Sequence, residues 1–312
     1  MKELKILAVV IFFTLVTYWL VEPFAHGVMH KHVDSKNFEY SDLPALTKDG
    51  DAARGADLVM NAGCAGCHSI EAAGMPAPMD ANMAAASYGV NPPDLSNAGA
   101  LYEAKFLADL IKNPAHALKV EHKYDPAAGK MHPMVPFYGM GGDLDQEVAD
   151  MVAYLQSIAV KAEDVTPAMA FENACGRCHE VRYEKWTQIG TKPTFKNEID
   201  GMKFDIQVLE YQDNLKKYMG KLPPDLSMYF RSRNEHFLST FIEDPQSRLP
   251  GTAMPRVGVT ADTAEKVIEY LENSADTKHE ERSTIGMYVM IFSVIFAIFA
   301  LLWKKQVWRD LH

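Results

Sequence analysis

The pentapeptide Cys64-Ala65-Gly66-Cys67-His68 constrains this chain more than any other stretch, because C-x-x-C-H is the spacing at which a c-type haem is attached. On a helical turn, cysteines at i and i+3 share a face, so both can reach one macrocycle, and the next histidine stands where it can bind the iron axially. The spacing recurs as Cys175-Gly176-Arg177-Cys178-His179, and the two copies use all 4 cysteines of the 312 residues. Other uses of the thiols fit less well. A zinc site wants further Cys or His at ligand spacing, a disulfide within C-x-x-C closes a loop too short to be useful, and a redox C-x-x-C does not need the histidine. Two covalently bound haems c, each with its iron, are therefore expected on Cys64, Cys67, His68 and on Cys175, Cys178, His179.

The motifs lie 111 positions apart, and an internal repeat accompanies them. Pro93-Asp94-Leu95-Ser96 returns as Pro224-Asp225-Leu226-Ser227 at an offset of 131, and in that register Phe106-Leu107, Ile111 and Pro114 match Phe237-Leu238, Ile242 and Pro245. The second half is thus expected to be a second copy of the first fold. Helical composition over Ala53 to Ala62 leads into the first motif, and Val148, Met151, Val152, Leu155 and Ile158 recur at helical spacing, so Asp145 to Ile158 closes the first unit. Val267, Ile268 and Leu271 mark the closing helix of the second. Gly74 to Asn91, rich in Ala, Met and Pro, reads as a loop wrapped around the haem. The fold expected is all-α, with two tandem cytochrome c-like domains at 52–160 and 161–275. From His68 to Pro93 is 25 positions but from His179 to Pro224 is 45, so the second unit carries an insertion within Tyr183 to Lys221, expected to be a loop suited to docking.

Both ends point to a membrane. Ile6 to Val21 is uncharged, and with Leu4 and Lys5 it reaches spanning length, so residues 1–22 read as an anchor, with a cleaved signal peptide as the alternative. Residues 23–51 follow as a linker, in which His26, His30 and His32 read as juxtamembrane polar residues rather than a metal cluster. After a charged linker at 276–282, residues 283–303 form a second uncharged span, and Lys304, Lys305 and Arg309 lie in a tail at 304–312. Lys2 and Lys5 before the first span and this basic tail after the second put both termini in the cytoplasm and the haem domains outside.

A haem bound by His on one side commonly takes a Met thioether on the other, which raises its potential and leaves the iron closed. In the second unit Met254 of Thr252-Ala253-Met254-Pro255 fits, lying between Pro250-Gly251 and the closing helix. In the first, Met131, Met134 and Met140 crowd into one loop; Met134 is chosen because Met134-Val135-Pro136 best imitates a Met-Pro ligand loop, with Met131 as runner-up. Closed irons make the chain an electron carrier, with no catalysis expected from the chain alone.

A net charge of −10 argues against a nucleic-acid partner and favours one with a basic face. Leu222-Pro223-Pro224-Asp225-Leu226-Ser227, followed by Arg231 and Arg233, with Cys175 to His179 followed by Arg182-Tyr183 and a C-terminal span with a basic tail, resembles the cytochrome c1 subunit of the ubiquinol:cytochrome c reductase, or bc1 complex. The first unit resembles an ordinary bacterial cytochrome c. Cytochrome c1 usually has one haem and one anchor, so the chain looks like the di-haem variant of some bacterial bc complexes. The resemblance implies a cytochrome b subunit, a Rieske iron–sulfur donor, a soluble or membrane-bound c-type acceptor, a place in the bacterial cytoplasmic membrane with the haems on the periplasmic side, and pairing of Arg231 or Arg233 with a haem propionate. A di-haem subunit of a cbb3-type oxidase and a stand-alone membrane-anchored shuttle are the alternatives, and a di-haem peroxidase, which needs an open iron, is a more distant one.

Overall fold

The computed structural model describes residues 2–30, 36–124, 127 and 129–309. At the N-terminus α1 (Lys2–Val16) runs through one wide π-helical turn over Thr17–Val21 into α2 (Glu22–His30). Pro23 has no N–H to return to the carbonyl of Trp19, and the wide turn sits where that bond is missing. Residues 5–27 and 284–309 are each long and apolar enough to cross a membrane, and neither packs against the rest of the protein. Of the histidines after the first span, His26 is exposed, while His32 lies outside the described residues, as does the end of the tail at 310–312.

The first half contains α3 (Ala52–Asn61), α4 (Ala81–Tyr88), α5 (Ala98–Leu101), α6 (Ala104–Lys112), α7 (Pro114–Ala117) and α8 (Leu144–Ile158). Asp51 caps α3 and Asp143 caps α8, each carboxylate accepting two backbone N–H bonds of the first turn. The two helices cross so closely at Gly55 that a Cβ there would stand 1.9 Å from the Asp150 carbonyl oxygen. Asp150 is buried and locks the crossing by accepting from Asp51 N at 2.7 Å and Arg54 Nη2 at 3.0 Å.

The second half contains α9 (Pro167–Ala174), a two-stranded antiparallel hairpin of β1 (Trp186–Thr187) and β2 (Gly190–Thr191), α10 (Glu198–Met219), α11 (Tyr229–Ser232), α12 (Glu235–Glu243), α13 (Pro245–Arg248) and α14 (Ala261–Ala275). Here α9 packs on α14, with Phe171 stacked on Tyr270 at 4.5 Å between ring centroids. Beyond it, α15 (His279–Arg309) carries the second membrane-length run.

One apolar core runs through both halves. Leu101, Tyr102, Phe106, Val148 and Val152 of the first share it with Phe171, Val259, Val267 and Leu271 of the second. The segment before α14 joins the first half by backbone bonds: Glu103 N donates to Gly258 O and Thr260 N to Leu101 O, both at 3.0 Å, and Tyr102 pairs with Val259 as an antiparallel bridge.

Three expectations change. The stretch 74–91 is not all loop, because Asp80 caps α4 there. The insertion is mostly α10, and its Val208, Tyr211, Leu215 and Met219 are buried, the helix lying on α4 of the first half. Residues 36–51 are no free linker: Phe38, Tyr40 and Leu43 are buried in the shared core, and Phe38 N donates to Glu243 Oε1 at 2.8 Å. Asn37, Phe38 and Tyr40 take positive φ, between 42° and 59°, to make that entry.

Candidate haem-attachment sites

Each C-x-x-C-H forms a tight turn directly after a helix. His68 N and Cys67 N both donate to Cys64 O, and His179 N and Cys178 N both donate to Cys175 O, at 2.9–3.2 Å. The two cysteines and the histidine of each motif are thus drawn onto one short turn, with all four thiols free.

The repeated P-D-L-S segment folds back over each turn. His68 Nδ1 lies 2.8 Å from Pro93 O, and His179 Nδ1 lies 2.9 Å from Pro224 O. A carbonyl can only accept, so Nδ1 carries the proton in each ring and Nε2 keeps its lone pair. Burial also lowers both imidazole pKa values, with the Pro carbonyls opposing, so the rings stay neutral. The rest of the cradle matches bond for bond. Leu95 N donates to Ser69 O and Leu226 N to Glu180 O, both at 2.9 Å. Asp94 accepts from Glu71 N and Ser96 Oγ, and Asp225 from Arg182 N and Ser227 Oγ. A neutral histidine held by its Nδ1, with Nε2 free, is the donor an axial iron site needs.

The thiols agree. Burial raises the pKa of Cys64, Cys175 and Cys178, the second up to about 12, so these thiols stand protonated. Among the described residues no three His, Cys, Asp or Glu side chains gather at metal-binding range. The residues present fit a covalently held haem at each turn.

Exposure separates the methionines. Met131 and Met140 are more than half exposed, whereas Met134 is half-buried, its N–H donating to His132 Nδ1 at 3.1 Å. Met254 is also half-buried, its carbonyl accepting from Gln246 Nε2 at 2.7 Å. Arg231 and Arg233 are both exposed, and the Arg233 guanidinium lies over the Phe237 ring at 5.4 Å.

Two arginines, one buried and one half-buried, escaped the sequence reading. Arg256 is 1% exposed; its Nη1 reaches both carboxylate oxygens of Asp42 at 2.7 and 2.8 Å, its Nε donates to Ala117 O at 2.7 Å, and it lies over the Tyr40 ring. It thereby ties the segment after Met254 to the first half and to the entry segment. Its place two residues after Met254 was the only available signal. The other, Arg177, stands inside the second motif, and its buried Nε has no hydrogen-bond partner among the described residues.

With this geometry in view, residues 52–159 match the cytochrome c family, and residues 257–311 match the cytochrome C1 family. Together these matches support an electron-transfer cytochrome of the bc1 type. They imply covalently bound haem c, and the two apolar helices are each long enough to cross a membrane. The cytochrome C1 match covers α14 and α15 and not the Leu222 to Ser227 segment on which the sequence resemblance rested. A chain of a solved hyperthermophilic respiratory Complex III is similar at 22% identity over 47% of this chain and 75% of that one, with a TM-score of 0.37. No curated protein matches.

Proposed function

We propose that the chain is a di-haem cytochrome c1-type subunit of a quinol:cytochrome c reductase. The observation that carries this reading is the doubled cradle: His68 on Pro93 O and His179 on Pro224 O, each beside two free cysteines. Cys64 with Cys67, and Cys175 with Cys178, would each hold one macrocycle on their turn through thioether bonds. His68 and His179 would hold the irons through Nε2, with Met134 and Met254 as the thioether ligands of the first and second haem. Haem, when bound, would supply one-electron exchange at iron, the role of a carrier. The cradle orients each imidazole by its Nδ1, burial favours its neutral form, and the shared core ties the halves together.

In this reading 52–160 and 161–275 are two cytochrome c domains held outside the bacterial cytoplasmic membrane by spans at both ends. A Rieske iron–sulfur protein delivers electrons, a cytochrome b subunit anchors the assembly, and a periplasmic c-type cytochrome accepts. The cytochrome C1 match over α14 and α15 supports this over an oxidase subunit. Purification from native membrane tests it. A cytochrome b and a Rieske protein should accompany the chain, and recovery with copper-oxidase subunits, or alone, would contradict the assignment.

A further inference from the structure

Each loop assigned an axial methionine is held by the half opposite its own. Met254 lies in the second half, yet residues 117–123 of the first grip the chain on both sides of it. Lys123 Nζ donates to Ala253 O at 3.4 Å, Arg256 N to Leu118 O at 3.0 Å, and Arg256 Nε to Ala117 O at 2.7 Å. Its own half adds Gln246 Nε2 on Met254 O. Met134 lies in the first half, and its N–H donates to His132 Nδ1 at 3.1 Å. With Nδ1 as the acceptor, the ring proton sits on Nε2, which donates to Tyr218 Oη at 3.3 Å, near the end of α10 in the second half. The Tyr124 ring meets the same imidazole edge-on at 4.9 Å. The two braces join, because Lys123 Nζ also donates to the carbonyl of Met219, the residue after Tyr218, at 3.1 Å.

An axial ligand carried on a loop stays on its metal only while surrounding hydrogen bonds hold that loop in place. Lys123 and Tyr218 are half-buried, and each sets a polar group against the loop of the opposite half. We propose that they are positioning residues for the axial methionines across the joint: Lys123 of the first half stations Met254, and Tyr218 on α10 stations Met134 through His132. The inference rests on the di-haem reading above, with its two methionine ligands, and adds a dependence between the sites. Each haem keeps its methionine only while the opposite half stays docked.

The test uses the full chain, purified in detergent with its haems. It reads the far-red sulfur-to-iron charge-transfer band of the oxidised protein and the binding of added imidazole. Met254→His leaves the first haem alone to give the band, and Met134→His leaves the second alone. In the Met254→His background Tyr218→Phe should remove most of the remaining band and tighten imidazole binding about tenfold, the size of one lost hydrogen bond. In the Met134→His background Lys123→Leu should do the same, and Lys123→Arg, which keeps the donors, should restore the band. Losses confined to the haem of the substituted residue's own half would overturn the proposal. Where Lys123→Leu does not fold, Lys123→Ala takes its place, and loss of the band at both haems in every variant would make these residues folding elements and also overturn it. A band left whole by Met254→His or Met134→His would overturn the ligand reading and the proposal with it, whereas bands that those replacements remove but that ignore Lys123 and Tyr218 would overturn the proposal alone.

Discussion

The two halves hold their C-x-x-C-H turns with the same set of hydrogen bonds, yet cover them with different walls. In the first half the turn is open: Gly63 and Gly66 face nothing within 4 Å, and Cys67 is exposed, with Tyr88 of α4 at 3.7 Å from its sulfur. In the second half the turn is enclosed. Trp186 Nε1 donates to Gly176 O at 2.9 Å, Gln188 reaches Cys178 O, and Tyr211 reaches Arg177 O. The attachment geometry depends on about thirty local residues in the first half and is repeated, whereas the environment of each site depends on the inserted hairpin and α10, which occur once. A duplicated fold can thus keep its ligand chemistry and still give its two sites different surroundings.

The largest expected effect comes from separating the halves. Gly258 has φ +75°, and a Cβ there would lie 2.1 Å from Phe106 Cγ. Gly258→Ala should destabilise by about 3 kcal/mol or more, combining backbone strain with overpacking, and should split unfolding by denaturant into two steps. A single transition with an unchanged midpoint would show that the halves do not depend on this contact.

Next comes the Arg256 clamp. Arg256→Leu abandons the Asp42 pair and leaves Ala117 O without its donor, at a cost of about 2–4 kcal/mol in chemical unfolding. The loss stays at this level because Asp42 is half-exposed and can recover water. A neutral result would remove Arg256 from the account of how the halves are joined.

Smaller, but directed at the contrast between the two turns, is Gly176→Ala. The new Cβ would stand 2.7 Å from Trp186 Nε1, so the indole must shift, costing about 1–2 kcal/mol. The first motif already has Ala65 at this position, and Gly66→Ala should change stability by less than about 0.5 kcal/mol. Equal costs in the two motifs, measured side by side by thermal unfolding, would erase the claimed difference.

The smallest effect is one of pH. Burial pushes the Asp150 carboxyl up, but hydrogen bonds from Asp51 N, Gln146 and Arg54 outweigh it and leave the pKa below the ordinary carboxylate value. Its stabilisation is complete above the unfolded value of about 4 and fades as pH falls below that, through the lower folded value. Acid should therefore loosen the α3–α8 crossing, and Asp150→Asn should flatten that part of the stability profile. The same acid slope in both proteins would place the sensitivity elsewhere.

Much of this architecture was legible because its signals are local. The C-x-x-C-H spacing, the period of α8 and α14 and the P-D-L-S repeat lie in short stretches whose side chains face one way. The insertion misled because α10 is apolar on two sides: Val208, Tyr211 and Leu215 are buried, while Ile199, Met202, Ile206 and Leu209 are exposed, so no single stripe announces a helix. α4 is short and rich in alanine, with no apolar period to read. Phe38 and Tyr40 looked like linker residues because their burial depends on Glu243 and Val259, more than 200 positions away. Arg177 and Arg256 were invisible for the same reason: a charge reads as surface until the tertiary fold shows what surrounds it.

The central claim, that both turns carry haem, is tested most directly by the intact mass of the chain purified from its native host under denaturing conditions. The account predicts a mass above that of the polypeptide by two haems, and by one haem when Cys64 and Cys67 are both replaced with alanine. A native chain carrying a single haem, or a mass unchanged by that double replacement, would contradict it.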